Sequence, residues 1–194
     1  RRGHPRPMLP LRALAAAAAT LAVLSGPAPT ARADDTFSAE EILARATGFF
    51  GDTSEGLAKA VEKAFRDLGR PNAYVAGEEG SGAFVVGLRY GQGVLERRSG
   101  ARRFVYWNGP SIGWDFGGNA SRVFMLVYGL PGEDAIFQRF AGVEGSIYVV
   151  AGVGMNYVQS GSTVLAPIRT GVGLRAGVSA GYLSFTPRRS WVPF

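Results

Sequence analysis

The chain has 194 residues, a formal net charge of +6, a single histidine (His4) and no cysteine. Without cysteine it can form neither disulfides nor thiolate metal sites, and it has no cysteine nucleophile. The length is suited to one domain with an extension.

The first 33 residues have the pattern of a secretory signal peptide. The basic segment RRGHPRPMLPLR (1–12) precedes an apolar run, ALAAAAATLAVL (13–24), and an A-x-A pattern that ends at Ala33. The run is shorter than the roughly 20 apolar residues that span a bilayer. We therefore expect export to the periplasm without a transmembrane anchor. Both the Arg1 region and Met8 are left open as the true start.

Cleavage after Ala33 changes the charge and the available chemistry. Five of the 21 basic residues lie in the leader, so the remaining 16 nearly balance the 15 acidic residues and leave +1. Bulk charge therefore does not indicate a nucleic-acid partner. His4 is removed as well, which excludes a Ser-His-Asp triad and a histidine-ligated metal. We expect no cofactor and no metal.

Two amphipathic helices are predicted within residues 34–71. In the first, over 37–50, Ser38 and Glu41 form a capping box and Phe37 can pack on Ile42. The second, over 52–69, places apolar residues on one face at helical spacing. Gly69 and Pro71 end it. One apolar face each suggests that both helices lie against something larger.

Residues 72–194 read as a β domain. The predicted strands are 73–77, 82–90, 93–97, 102–107, 121–128, 146–158, 163–169 and 172–185, and 133–142 is a short helix or turn. Glycine recurs inside these runs, which marks bends or a close approach of backbones. A small closed barrel needs such bends. The predicted fold is mainly β, a small antiparallel β-barrel of about eight strands with the two N-terminal helices packed against it.

The interior of such a barrel can just be filled by side chains. The sequence leaves open whether the barrel is filled or hollow. A filled barrel would place any binding on its outer surface.

Two glycine-rich segments resemble phosphate-binding loops, GEEGSGAF (77–84) and TGVGLRAG (170–177). A dinucleotide site needs a helix immediately after the glycines, because the helix N-terminus holds the phosphates. Strand-like sequence follows both segments here. We therefore expect no nucleotide site.

A basic cluster surrounds the predicted turn at Ser99–Gly100. Its members are Arg97, Arg98, Arg102 and Arg103. One interpretation is a surface that attracts anionic lipid headgroups or acidic polysaccharide. The other, which we favour, is a solvated hairpin tip whose charges protect a strand edge.

The segment GPSIGWDFGGNASR (109–122) combines glycines with Trp114, Asp115 and Arg122. Asp115 lies between two aromatic residues, and a buried carboxylate needs a partner, for which Arg122 is available. We interpret the segment as a corner between two barrel strands. A ligand contact at the same corner is the second interpretation.

Carboxylates could in principle serve glycan hydrolysis. The candidates are Glu78, Glu79, Asp115 and Glu144. Their spacing pairs none of them, and Glu78 and Glu79 would point to opposite faces of a strand. Acids at turns and rims are the favoured interpretation.

Several segments together resemble one known family. They are FFGDTSEGLAKAVEKAF, GEEGSGAFVVGLRYGQG, GPSIGWDFGGNASRVFMLVY, IRTGVGLRAG and GYLSFTPRRSWVPF. They are similar, over about 38–194, to an alphaproteobacterial periplasmic family of unknown biochemical activity that includes the envelope integrity protein EipA. The resemblance implies a small β-barrel with N-terminal helices, export to the periplasm and a role in the cell envelope. It supplies no catalytic residues.

A more distant likeness connects residues 80–155 with the SYLF lipid-binding domain. Trp107 and Pro110 stand where that domain has its tryptophan and proline, although the spacing does not fully match.

These observations predict a soluble, non-enzymatic periplasmic protein that maintains the cell envelope. Its expected partners are an anionic lipid, a lipopolysaccharide component or envelope polysaccharide, or envelope proteins. The candidate ligand-binding residues are Arg97, Arg98, Arg102, Arg103, Trp107, Trp114, Asp115 and Arg122. The alternatives are a carboxylate-based hydrolase of cell-wall glycan and a structural partner in an envelope or division complex.

Overall fold

The computed structural model describes residues 35–52, 54–81, 88–110, 121–170 and 181–190. The predicted signal peptide lies outside these residues. Two helices, α1 (Ala39–Phe50) and α2 (Glu55–Leu68), precede the strands. Ten strands follow: β1 (Ala73–Ser81), β2 (Leu88–Arg97), β3 (Arg102–Pro110), β4 (Ser121–Tyr128), β5 (Arg139–Gly142), β6 (Tyr148–Val150), β7 (Val153–Met155), β8 (Val158–Ser160), β9 (Thr163–Thr170) and β10 (Tyr182–Thr186).

Eight of the described strands close into an antiparallel barrel. Their order is β4-β1-β2-β3-β10-β5-β8-β9, and β9 pairs back onto β4. Closure leaves these strands without a free edge. β7 continues the line of β8 along β9, and β6 pairs with β7. The predicted eight-stranded barrel with two packed helices is confirmed.

The helices cover one side of the barrel. Ser38 accepts from the N–H of Glu41 while the Glu41 carboxylate accepts from the N–H of Ser38, which is the predicted capping box. The apolar faces of both helices pack on outward side chains of β1, β4, β7 and β9, with Phe37 and Ile42 in the same cluster. Tyr157 donates a hydrogen bond to Asp67 Oδ2 at 2.8 Å, which ties α2 to the barrel wall.

Several predicted strand boundaries are wrong, and the short helix or turn predicted within 133–142 is confined to the first part of that segment. β1 extends through Ser81, and β2 runs unbroken over 88–97, so Gly80 and Gly91 lie in paired strands although the predicted strands left both of them out. The predicted strand 146–158 contains a hairpin turn at Ala151–Gly152, where both φ angles are positive. The segment 133–142 is a short 3-10 turn over Glu133–Ile136 followed by β5.

The gap between β7 and β8 has a local cause. Both segments keep one register against β9, with Met155 opposite Ile168 and Val158 opposite Leu165. Pro167 therefore stands opposite the residues between them. Proline has no N–H to donate, so the ladder of hydrogen bonds is interrupted there.

Candidate functional site

Apolar side chains fill one part of the barrel interior. Inward residues of the strands and two residues from the segment between β4 and β5 form a single buried cluster. Its members are Ala73, Val75, Leu95, Val105, Trp107, Val123, Met125, Val127, Leu130, Ile136, Phe140, Val158, Leu165, Leu183 and Phe185. The Phe185 ring packs between Trp107 and Phe140, with centroid distances of 5.6 and 5.8 Å. This part of the interior is a packed core.

Glycines make room for the indole of Trp107 inside the wall. A Cβ on Gly91 would overlap the indole ring, and one on Gly77 would lie 2.8 Å from its Cη2. Gly77 and Gly93 are opposite each other in the ladder, and either Cβ would press on the other strand. The sequence prediction that strand glycines mark a close approach is confirmed at these positions.

A buried ionic cluster lies in the same interior, beyond Trp107. The carboxylate of Glu79 accepts hydrogen bonds from Arg169 Nε and Nη2, from Arg89 Nη1 at 3.4 Å and from Trp107 Nε1 at 3.0 Å. Arg169 also donates to Asn156 Oδ1 at 3.3 Å. Glu79 is only 7% exposed, and both arginines are equally buried. Two guanidinium groups around one carboxylate leave the cluster with a positive charge.

The charges around Glu79 outweigh the cost of burying it. Burial by itself raises the pKa of this carboxyl group, but the Coulombic attraction of Arg169 and Arg89 lowers it to about 2. Glu79 is therefore ionised throughout the physiological pH range. It acts as an anchor for the two arginines.

The outer face of β1, β2, β3 and β10 carries a second polar arrangement. Two cross-strand rows lie side by side: Glu78–Gln92–Tyr106–Thr186 and Gly80–Tyr90–Asn108–Ser184. With Arg189 and Ser190 they line an open cavity of about 180 Å³, called here the outer groove. Its lining is Glu78, Glu79, Gly80, Tyr90, Gly91, Gln92, Tyr106, Trp107, Asn108, Thr186, Arg189 and Ser190.

Asn108 has an unusual environment in the outer groove. Its side chain is 3% exposed, and Oδ1 has no hydrogen-bond partner among the described residues. Nearly all buried polar atoms in proteins are paired, because an unpaired one loses its hydration without compensation. The oxygen can therefore accept a hydrogen bond from a molecule in the groove.

The segment after β10 forms one wall of the outer groove. Arg189 donates to Gln92 Oε1 at 2.9 Å, and its guanidinium lies 5.9 Å from the centroid of the Tyr106 ring. On the opposite wall, Gly80 leaves space beside Tyr90, since a Cβ there would have no atom within 4 Å.

The predicted arginine cluster lies at the β2–β3 turn, and each member pairs with a carboxylate. Arg98 contacts Glu41 at 2.6 Å, Arg103 contacts Asp134 at 2.9 Å, Arg102 contacts Glu96 at 3.1 Å and Arg97 contacts Glu133 at 3.9 Å. Arg98 and Arg97 attach the turn to α1 and to the loop after β4. Arg102 and Arg103 remain substantially exposed.

The other predicted site residues are separated from one another. Trp107 is in the core, while Arg122 is exposed and donates to the carbonyl oxygens of Phe49 and Phe50 at the end of α1. Trp114 and Asp115 lie outside the described residues, so the predicted pair with Arg122 stays a prediction. The strands before and after residues 111–120 are β3 and β4, which do not pair with each other because β1 and β2 lie between them in the barrel.

Sequence reasoning missed the buried arginines and the outer groove. Arg89 and Arg169 occupy inward positions on strands, where a charged side chain predicts a buried partner. The predicted strands left gaps at 78–81 and 91–92, and these gaps hid the alternation of inward and outward residues along β1 and β2. Glu79 was interpreted as an acid at a turn or rim, with glycan hydrolysis as the alternative, and its burial contradicts the turn or rim interpretation. The groove depends on pairing between β3 and the distant β10, which no local pattern reveals.

The part of the chain that the structure describes contains neither a membrane-spanning helix nor a metal-ligating group of side chains. None of its helices is long and apolar enough to cross a membrane. It contains no group of three or more metal-ligating His, Cys, Asp or Glu side chains.

Comparisons with known proteins identify the family of the chain. A search of curated proteins found no match. A solved structure described as a β-barrel-like, uncharacterised protein from Brucella abortus is 52% identical, covering 82% of this chain and 99% of its own, with a TM-score of 0.78. The family model for envelope integrity protein A matches residues 35–194. With this match over most of its length, the chain belongs to the envelope integrity protein A family.

Proposed function

We propose that the protein is a non-enzymatic periplasmic protein that supports the integrity of the cell envelope by binding a lipid or lipopolysaccharide component on the outside of a filled barrel. Its family indicates a role in envelope integrity. The observation that carries the rest is the packing of apolar side chains in the described part of the interior.

The space left in the interior is small. The cavity beside Arg89, Asn156 and Arg169 measures about 10 Å³. A cavity needs roughly 10–15 Å³ to hold one water molecule. The small size of this cavity supports binding on the outer surface.

The carboxylates do not favour hydrolysis. Glycan hydrolysis needs a protonated acid close to a second carboxylate, whereas Glu79 is ionised and held by two arginines. Glu78 and Glu144 are exposed. These properties support a binding role.

The exposed Arg102 and Arg103 support an anionic component. Each keeps one carboxylate partner at the surface, and exposed ion pairs are weak enough to exchange partners at a cost of about 0–1 kcal/mol. A phosphate or carboxylate group of an envelope molecule could therefore contact this turn.

Native mass spectrometry of the protein released gently from its own periplasm tests the proposal. We expect a bound species of lipid or glycolipid mass, which is reduced when Arg102 and Arg103 are both replaced by Gln. The matched control replaces Lys59 and Arg66, which form exposed pairs on α2. A protein free of bound species would contradict the binding proposal.

A complementation experiment tests location and catalysis. In cells that lack the protein, the full chain should restore resistance to detergent, and the chain without residues 1–33 should not. Glu79→Gln, Asp115→Asn and Glu144→Gln should each still protect when the variant folds. Loss of protection by a folded, normally abundant acid variant would favour the hydrolase.

A further inference from the structure

We propose that the outer groove binds a sugar residue within a polysaccharide chain of the envelope. This inference rests on the proposed function, because it names the class of molecule that the outer surface takes. Four features of the groove lead to it: its aromatic rings, its planar polar groups, an unpaired buried acceptor and its size.

The side chains of the groove alternate between rings and hydrogen-bonding groups. Tyr90 and Tyr106 lie on adjacent strands, and the register places Asn108 beside Tyr90 and Gln92 beside Tyr106. A tyrosine ring offers an apolar face and a polar end. Carboxamide, carboxylate and guanidinium groups offer donors and acceptors in one plane. A sugar ring, with C–H groups on its faces and hydroxyl groups at its edge, matches this alternation.

The unpaired oxygen of Asn108 specifies what the ligand must supply. Oδ1 only accepts, so its partner has to be a donor such as a hydroxyl group. Glu78, an acceptor in the adjacent row, sets the same requirement, whereas Arg189 and the amide nitrogen of Gln92 can donate. A polyhydroxylated ligand satisfies both kinds of group, and an acyl chain satisfies neither.

The size and openness of the groove favour one residue of a chain. The groove has a volume of about 180 Å³. It is smaller than the roughly 300–1,000 Å³ of sites that enclose a drug-sized ligand. Because the groove is open, the chain can continue on either side of the bound residue. Phe104, 51% exposed on the same strand as Tyr106, extends this surface.

Binding is measured with polysaccharide released from the envelope lipopolysaccharide by mild acid, which removes the lipid. Titration is followed by NMR shifts of the described groove residues and by isothermal calorimetry. We expect saturable binding with shifts centred on Tyr90, Tyr106 and Asn108. A panel of oligosaccharides from the cell wall serves as a second glycan probe, and vesicles of anionic phospholipid serve as the lipid probe.

Three variants test the location of the site. Gly80→Leu fills the space beside Tyr90 without removing a polar group, and Tyr106→Ala removes a ring. Each should weaken binding roughly tenfold or more. Asn108→Ala should weaken binding about fivefold to tenfold while leaving the thermal midpoint unchanged or raised, because it removes an unpaired acceptor. A role in folding alone would lower the midpoint instead. Ile147→Ala, at an exposed residue before β6, is the control and should bind normally.

The possible outcomes separate this inference from the proposed function. Glycan binding that is lost in Gly80→Leu supports both. Binding of anionic vesicles alone, unaffected by Gly80→Leu, overturns the sugar site and leaves the proposed function standing. Binding of glycan that the three variants do not weaken also overturns this site. If neither glycan probe nor the vesicles bind, both proposals fail.

Discussion

Glu78 and Glu79 are adjacent carboxylates that lie in very different environments. Strand alternation sends Glu78 to the outer groove and Glu79 into the barrel, between two arginines. The sequence predicted that the two would point to opposite faces. It did not reveal the partners, because Arg89 and Arg169 come from strands that only the closed barrel brings together.

Replacing Glu79 should be strongly destabilising. Glu79→Gln leaves two buried guanidinium groups without their carboxylate, and breaking a buried ion pair costs about 3–5 kcal/mol. The free energy of unfolding from urea titration measures this. Glu78→Gln, at the exposed neighbour, should change it by less than about 0.5 kcal/mol. Equal effects of the two variants would contradict the structural role of the cluster.

The pH dependence of stability should report the same carboxylate. Its pKa is lowered from 4.5 to about 2 on folding, so its contribution is complete above the unfolded pKa. The contribution is lost as the pH falls from about 4.5 to about 2, and it amounts to about 3 kcal/mol. Because other carboxylates titrate too, the measurement is the difference between wild type and Glu79→Gln. A constant difference across this range would disprove the assignment.

Gly91 and Gly80 make a second matched pair of neighbours in the ladder. A methyl group on Gly91 would overlap the indole of Trp107, whereas one on Gly80 meets open space. Gly91→Ala should therefore cost roughly 1–3 kcal/mol through overpacking. Gly80→Ala should be neutral or slightly stabilising, since alanine reduces the freedom of the unfolded chain. Thermal unfolding of both variants gives the comparison, and a stable Gly91→Ala would show that the indole can move aside.

At the scale of the element, the helices were predicted more accurately than the strands. Capping residues and an apolar stripe lie within one helix, so local sequence defines α1 and α2. Strand ends depend on partners: Gly91 resembles a turn residue until Trp107 is placed beneath it. Pro167 lies within β9, which continues through it, but the gap between β7 and β8 lies opposite this proline.

The capping box offers a prediction at this scale. Ser38→Ala removes the side-chain acceptor from the first turn of α1 and should lower the free energy of unfolding by about 1 kcal/mol. Chemical denaturation measures the loss. Ser121→Ala, at an exposed position that begins β4, is the control and should have little effect. A loss as large in the control would remove the capping explanation.

At the scale of the whole molecule, residues 33–194 form one compact unit. The helices bury their apolar faces on the outside of the barrel, and the barrel buries a second cluster within. Neither face is suited to exposure in water, so the two layers should stabilise each other.

Unfolding should therefore be a single cooperative transition. The helical signal in circular dichroism and the near-ultraviolet signal of the tryptophans should have the same thermal midpoint. In Tyr157→Phe, which loses the hydrogen bond to Asp67, the two signals should still coincide at a slightly lower temperature. Helix melting several degrees before the tryptophan signal would show that the layers are independent.

The sequence by itself determined the class of fold, both helices with their caps, and a family resemblance that the match over residues 35–194 confirms. Each of these follows from the local periodicity of the sequence or from the order of its motifs. Tertiary structure decided that apolar side chains pack in the described part of the barrel interior, that Glu79 binds Arg89 and Arg169, and that β3 and β10 form the outer groove together. These features join residues that are distant in the sequence, such as Glu79 and Arg169, which are 90 positions apart, and their geometry exists only once the strands have paired and the barrel has closed.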